Sequence, residues 1–367
     1  MIYLDNAATS GYKPEAILER ILYSMRHPGN PQRGVHTASM EAGSMVFQAR
    51  DAVARFFHCD KKRVVFTSGL TESLNIVIRG LITKSDHVIT TVYEHNSVLR
   101  PLYATGCKLT VIRTVEEIER SILPDTKAII VSHVSNVTGY VQNLIKIGNI
   151  CKHHHILFIV DAGQSAGVLP VFMDTMNIDI LCFSGHKGLL GMQGIGGICL
   201  SDDYDIRPWK TGGTGIHSFD KQQPENYPDR LEAGTLNVPG IAGVYASCGY
   251  LTEDRMNDIR KHEQDLTEYC YAELKAIPNV TIYREEGLHI GMVSFNVAGM
   301  DAAYIGMKLN QEYDICIRTG AHCAPLIHGY YGIRSSCRVS FGIQNTKEEI
   351  DCFIHAIKEI IRCYEHM

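Results

Sequence analysis

An aspartate and a lysine each stand at the end of an apolar run. In ILFIVDAGQSAG the run Ile156 to Val160 leads into Asp161, with Gln164 just beyond. Twenty-six residues after Asp161, ILCFSGHKGLLGMQGIGG puts Lys187 in a polar, glycine-flanked turn behind a second apolar run. Short apolar runs with such boundaries read as buried strands. A strand-end carboxylate and a strand-end lysine are what pyridoxal 5'-phosphate chemistry needs. The lysine amine condenses with the cofactor aldehyde, and the carboxylate keeps the pyridine nitrogen protonated so that the ring accepts electrons from a substrate carbanion.

Other residues fit around that pair. In FTSGLTES the strand passes into a helix, and backbone N–H groups from Gly69 through Leu70 to Thr71 form a cradle for a phosphate, with the Thr71 hydroxyl beside them. The same letters also read as an ordinary helix cap on Thr67 or Ser68. His95, in TTVYEHNS, can stack on the pyridine ring and move protons, or be structural. Asn136, in VSNVTG, is a candidate for a cofactor oxygen or a substrate carboxylate, and equally a turn residue before Gly139. Gln164 can donate to the phenolic oxygen, and Ser184 and His186 flank Lys187 within reach of a phosphate.

Two features lie far downstream. Arg338 sits in SSCRVSFGI, an apolar context in which a guanidinium needs an anionic partner, either an amino-acid carboxylate or a structural acid. Cys323, in RTGAHCAPL, occupies a loop bounded by glycine and proline, next to His322 and fifteen residues before Arg338. A loop thiol beside a histidine can act as a nucleophile. Against this, most of the twelve cysteines of a reduced intracellular protein are inert buried apolar residues.

These side chains must be held by a scaffold. Apolar runs at Val64–Phe66, His87–Thr91, Lys108–Ile112, Ala128–Ser132, Ile156–Val160, Ile180–Phe183 and Gly197–Leu200 alternate with amphipathic helical patterns such as Glu72–Leu81 and Ser97–Ala104. That alternation predicts an α/β fold with a mostly parallel, seven-stranded sheet, whose ligands bind beyond the strand ends. Residues 209–240 are rich in Gly, Pro and polar side chains and read as a long functional loop. A helix over Val244–Ile277, strands near Val280–Tyr283 and Met292–Val297, and a last helix over Lys347–Cys363 predict a smaller α+β domain. The expected division is an N-terminal segment 1–15 on the small domain, a large domain 16–243, and a small domain 244–367 that carries the cysteine loop.

Composition sets outer bounds. With 367 residues, 45% of them hydrophobic, the chain can build two cores. A net charge of −5 without a long basic run argues against nucleic-acid binding. The absence of a signal-peptide pattern and of long apolar stretches predicts a cytoplasmic, non-membrane protein. The Cys151, His153, His154, His155 tract reads as a solvated turn rather than a metal site, and no metal is expected.

Taken in order, YLDNAATS, RGVHTAS, TSGLTES, EHNSVLRP, VSNVTG, VDAGQS, SGHKGLLGMQGIGG, EAGTLNVPG and RTGAHCAPL resemble the class V aminotransferase family of fold-type I pyridoxal phosphate enzymes, and within it the cysteine desulfurases. The resemblance implies that Lys187 carries the cofactor, Asp161 pairs with the pyridine nitrogen and His95 stacks on the ring. It implies that Cys323 takes sulfur from L-cysteine as a persulfide, with L-alanine as the product, and passes it to an acceptor protein. It further implies a homodimer in which Thr235 reaches the neighbouring subunit's phosphate and Arg33 enters the neighbouring site. The short run from Cys323 to Arg338 is similar to the Suf-type and selenocysteine lyase-like branch. The chain departs from that branch in its short N-terminal lead, in Asn96 where a second histidine is usual, in Ala321, and in a shorter loop after Gly213. L-Selenocysteine as substrate, another class V lyase or aminotransferase, and a non-catalytic partner of the same fold are the alternatives.

Overall fold

The computed structural model describes residues 1–32 and 34–366. Its strands, in chain order, are β1 (Ile2–Tyr3), β2 (Val64–Thr67), β3 (His87–Thr91), β4 (Lys108–Ile112), β5 (Thr126–Ser132), β6 (Leu157–Asp161), β7 (Ile180–Ser184), β8 (Gly196–Leu200), β9 (Val280–Tyr283), β10 (Met292–Val297), β11 (Ile315–Cys316), β12 (Arg318–Gly320) and β13 (Ser336–Ser340). The seven-stranded sheet has the order β2-β8-β7-β6-β5-β3-β4. Strands β3 to β7 run parallel, while β8 is antiparallel to both neighbours. All seven strands lie where the apolar runs predicted them, within two residues.

The physical reason is visible in the core. Val64, Phe66, Ile129, Val131, Phe158, Val160, Leu181 and Phe183 pack on one face, against Ala49, Val53, Ile241 and Val244. Val65, Ala128, Ile130, Ile159, Ile180 and Cys182 pack on the other, against Leu74, Val77, Val98 and Leu102. Alternate residues thus enter opposite layers, and a strand buried on both faces must be apolar throughout. Edge strand β4 is half exposed and begins with Lys108, which discourages further pairing.

The small unit is a four-stranded antiparallel sheet, β12-β13-β10-β9. Its own core includes Leu266, Phe295, Leu309, Val339 and Phe353. The first strand of the chain belongs here, since β1 pairs with β11. The continuous helix expected over Val244–Ile277 is two helices, Val238–Tyr250 and Glu253–Lys275. Thr252 breaks it by accepting the Arg255 N–H at 3.3 Å, an N-cap followed by acidic residues. The second helix spans both cores, with Ile259 in the large one and Leu266 in the small one. Residues 201–237 hold no helix or strand. The end of that segment is nonetheless pinned: Arg50 Nη1 donates to Glu232 Oε1 at 2.8 Å, and Phe66 N–H donates to the same oxygen at 2.6 Å. Breaking so buried a pair costs about 3–5 kcal/mol.

Candidate active site

The C-terminal ends of neighbouring parallel strands meet at one place. His95 follows β3, Asn136 follows β5, Asp161 ends β6, and Ser184, His186 and Lys187 end or follow β7. A pocket there is lined by Leu70, Thr71, His95, Asn136, Asp161, Gln164, Ser184, His186 and Lys187, together with Ser97, Ser132, Val134 and Gly163. Nine of the sequence-predicted residues are therefore brought together around one concave site. Gly69 lies just outside, as the residue before helix Leu70–Leu81, with φ +154° and open space where a Cβ would be. Across from it, a Cβ on Gly196 would come within 2.8 Å of the Gly69 backbone. Glycine at both positions keeps the helix start open, and the capping alternative is absent because no side chain caps that helix.

Electrostatics prepares each group. Burial pushes the Asp161 carboxyl above its ordinary value, opposed by the Gly163 N–H at 2.8 Å, by Lys187 and by Ser132. Desolvation pulls the Lys187 amine down to about 8, with Asp161 opposing and Arg338 adding to the fall. About a tenth of that amine is thus neutral, and nucleophilic, at pH 7, against well under a thousandth for an ordinary lysine. His95 is drawn down to about 4, chiefly by burial and then by Lys187, Arg100 and Arg338. Its Nδ1 accepts the Ser97 N–H at 3.0 Å, so the proton of the neutral ring sits on Nε2. Ser97 Oγ lies 2.9 Å from the same nitrogen and 2.8 Å from Thr71 Oγ1, linking the helix start to the imidazole.

Sequence reasoning missed Ser97, and it missed Glu94. Glu94 is fully buried, accepting Thr91 Oγ1 at 2.6 Å, Ser132 N–H at 3.0 Å and Ser132 Oγ at 2.8 Å. Ser132 Oγ is also 3.4 Å from Asp161 Oδ2, so one hydroxyl bridges two buried carboxyls. Burial raises Glu94 to about 7, and Asp161 adds to the rise. The only signal was an acid inside an apolar context, YEH, overshadowed by the histidine after it.

The downstream residues arrive from the small unit. Asn136 Nδ2 donates to the His322 carbonyl and Asn96 N–H to the Cys323 carbonyl, both at 2.7 Å. His322 and Cys323 have φ of 48° and 54°, a left-handed pair that these two bonds help to hold. The Cys323 side chain is exposed. The His322 ring is engaged with strand β13. Its Nε2 lies 3.1 Å from Ser336 Oγ, and burial draws it far below the ordinary histidine value. Arg338 is 3% exposed, with Nη1 donating to the Asn136 carbonyl at 2.7 Å and Nη2 to Asp5 Oδ1 at 3.0 Å. It therefore has the structural acid that the sequence left as one of two possibilities. Gln164 Nε2 donates to the Ala7 carbonyl at 3.0 Å, tying the N-terminal segment to the pocket wall. Thr235 is exposed and does not line this pocket. Arg33 lies outside the described residues. The Cys151–His155 tract forms the last turn and C-cap of helix Leu144–His154.

A fold of this topology with a lysine and an aspartate at adjacent strand ends defines a fold-type I pyridoxal phosphate enzyme. Residues 2–353 match the family described as Aminotransferase class-V, and the chain belongs to that family. It is 32% identical to a probable cysteine desulfurase of Pyrococcus abyssi, over 99% of this chain and 94% of the relative. It is likewise 32% identical to a cysteine desulfurase of Yersinia pestis, covering 98% and 93%. Among solved structures, the apo cysteine desulfurase of Thermococcus onnurineus superposes with a TM-score of 0.89 at 32% identity, covering 98% and 94%. The cysteine desulfurase CsdA of Escherichia coli, in its S-sulfonic acid form, gives 0.86 at 28% identity, covering 98% and 94%.

The cofactor is pyridoxal phosphate, and the pocket fits it. His186 Nδ1 and Asn136 Oδ1 are buried polar atoms without a partner, and both residues line the pocket. Buried polar groups of this kind call for a ligand's polar atoms.

Proposed function

We propose that this protein is a cysteine desulfurase that converts L-cysteine to L-alanine and collects the sulfur on Cys323. The observation that carries this reading is the double tether of the 322–323 backbone to Asn136 and Asn96, which fastens an exposed thiol beside the pocket of Lys187 and Asp161. The names of the relatives support it.

Bound pyridoxal phosphate supplies an electron sink and an aldehyde for a covalent link. Lys187 would hold that link, Asp161 the ring nitrogen, His95 the ring face, and Gln164 the phenolic oxygen. The helix start at Gly69–Thr71, with Ser184 and His186, would hold the phosphate. Arg338 and Asn136 would bind the substrate carboxylate. Lys187, once displaced, takes the Cα proton. The Cys323 thiolate attacks the substrate sulfur, forming an S–S bond as the C–S bond breaks. The electron pair stays on the carbon and is protonated, with His95 as carrier. Cysteine plus the enzyme thiol thus becomes alanine plus the enzyme persulfide, with no external oxidant or reductant. An exposed thiol then suits delivery of sulfur to an acceptor protein.

A homodimer belongs to the same reading. Tyr23, Met25, Met40, Phe47, Trp209 and Phe219 expose large apolar side chains on helices Glu15–Arg26 and Thr37–Phe57 and in segment 201–237, which suits an interface. Exposed Thr235 would complete the partner's phosphate cup, and Arg33 would reach the partner's site. Two cores support a segment 1–15 that reaches the small domain and a division into a large domain 16–243 and a small domain 244–367, with Val244, Leu251, Met256 and Ile259 of the latter range packed in the large core. The cysteines are free thiols, which suits the cytoplasm. No described helix is long and apolar enough to cross a membrane.

The test is incubation of the purified protein with L-cysteine and, separately, L-selenocysteine, measuring alanine, released chalcogen and the persulfide on Cys323. Alanine without a Cys323 persulfide would replace this reading with that of another class V lyase.

A further inference from the structure

Strands β12 and β13 put Arg318 directly opposite Arg338. Two guanidiniums facing across neighbouring strands repel one another unless an anion lies between them. Asp5 is that anion, with Oδ1 3.0 Å from Arg338 Nη2 and Oδ2 3.9 Å from Arg318 Nη1.

Its position is built into the fold. Leu4 N–H donates to the Cys316 carbonyl at 2.9 Å, and Ser340 N–H donates to the Leu4 carbonyl at 2.8 Å. On the other side of Asp5, the Ala7 N–H reaches Ser340 Oγ at 2.9 Å and Asn6 Nδ2 reaches Asn345 Oδ1 at 3.0 Å. The N-terminal segment therefore threads between β11 and β13, with Asp5 fixed at the middle of the threaded stretch.

One carboxylate facing two guanidiniums leaves a net charge of +1. That suits one monoanionic carboxylate and no more. Arg338 is equally half used. Nη2 and Nε form one edge of a guanidinium, the edge a carboxylate grips with two bonds. Asp5 takes Nη2 alone, while Nε is buried without a partner.

We propose that Asp5 is a positioning residue for Arg338: it clamps one donor of the guanidinium, leaves Nε for the substrate carboxylate, and sets the charge of the arginine pair so that solution anions do not occupy the site. The inference rests on the reading of Arg338 as the substrate-carboxylate group.

Asp5→Asn keeps the shape and removes the charge. Two readouts are taken on the cofactor-loaded protein at about 10 and 200 mM chloride: the melting temperature, and L-alanine binding followed by the visible absorbance change. In the wild type neither should depend appreciably on chloride. In Asp5→Asn, chloride should raise the melting temperature, because it binds the folded state at the unbalanced pair. It should also weaken alanine binding by roughly tenfold, because it competes for Arg338. Asp5→Glu, which keeps the charge but shifts its reach, should stay insensitive to chloride while binding alanine more weakly; it also serves if Asp5→Asn does not fold. Chloride-insensitive alanine binding in Asp5→Asn would overturn the proposal, as would tighter binding at both chloride concentrations, which would make Asp5 a mere competitor. Failure of the wild type to make alanine from cysteine would instead reject the desulfurase reading, and would leave the chloride effect on melting intact.

Discussion

The strand-end pocket and the Cys323 loop are assembled in opposite ways. The pocket draws its groups from the ends of adjacent strands in one sheet, so each side chain is placed by the pleat and by residues a few positions away. Asp161 is fixed by Gly163, and His95 by Ser97. The loop has no such local frame. Its two residues sit at positive φ, with His322 tied across 186 positions to Asn136 and Cys323 tied to the backbone of Asn96, while Arg338 is tied across 333 positions to Asp5. A site that must stay rigid for bond chemistry is made locally. The loop proposed to take sulfur in and hand it out is held by long-range cross-ties instead.

That contrast can be broken by mutation. The largest effect should follow Lys187→Ala, with complete loss of the covalent cofactor link and of turnover while the melting curve stays cooperative. Visible absorbance and mass spectrometry of the intact protein check it. Persistence of a covalent cofactor would mean the pocket is organised around another amine. Cys323→Ala should also abolish sulfur transfer, yet keep the cofactor and the cysteine-induced absorbance change, since nothing in the pocket depends on that thiol. If this variant releases sulfur at the wild-type rate, the loop has no part in the chemistry.

Arg338→Ala joins both regions and should fail twice. Loss of the charge-assisted pair should weaken binding of amino-acid carboxylates by about 2–5 kcal/mol, or roughly 30- to several-thousand-fold. The melting temperature should drop as well, because Asp5 keeps only the distant Arg318. A drop in stability with unchanged alanine affinity would show the arginine to be purely structural.

Smaller effects sharpen the picture. With the Lys187 amine lowered to about 8, its neutral fraction grows as pH rises through that value. Covalent attachment of pyridoxal phosphate to cofactor-free protein should therefore speed up about tenfold per unit below pH 8 and level off above it. A rate that is flat between pH 6 and 9 would argue against a desolvated amine. The smallest effect belongs to Ser97→Ala. It removes a bond to His95 and one to Thr71, so stability should fall by about 1 kcal/mol. Cysteine turnover should fall a few-fold, because the backbone N–H of residue 97 still orients the imidazole.

Much of this was legible from the chain. The strands of the large sheet other than half-exposed β4, and the pocket residues from Leu70 to Lys187, could be placed because a strand buried on both faces must be apolar and its polar successor must lie at its end. The break at Thr252 was legible in principle, as a cap followed by acids, but the apolar periodicity on both sides hid it. Glu94 was not, since a buried acid looks like a surface acid until the Ser132 amide and hydroxyl are seen to face it.

The sequence by itself determined the succession of strands in the large sheet and singled out the strand-end lysine and aspartate and the cysteine of the distal loop, because each rests on residue types within about ten positions of one another. Tertiary structure alone decided that Asp5 meets Arg338, that His322 turns to Ser336 instead of Cys323, and that Asn136 carries the cysteine loop. Those contacts depend on how separate chain segments come into register when two cores and two sheets pack together, and no local pattern encodes that register.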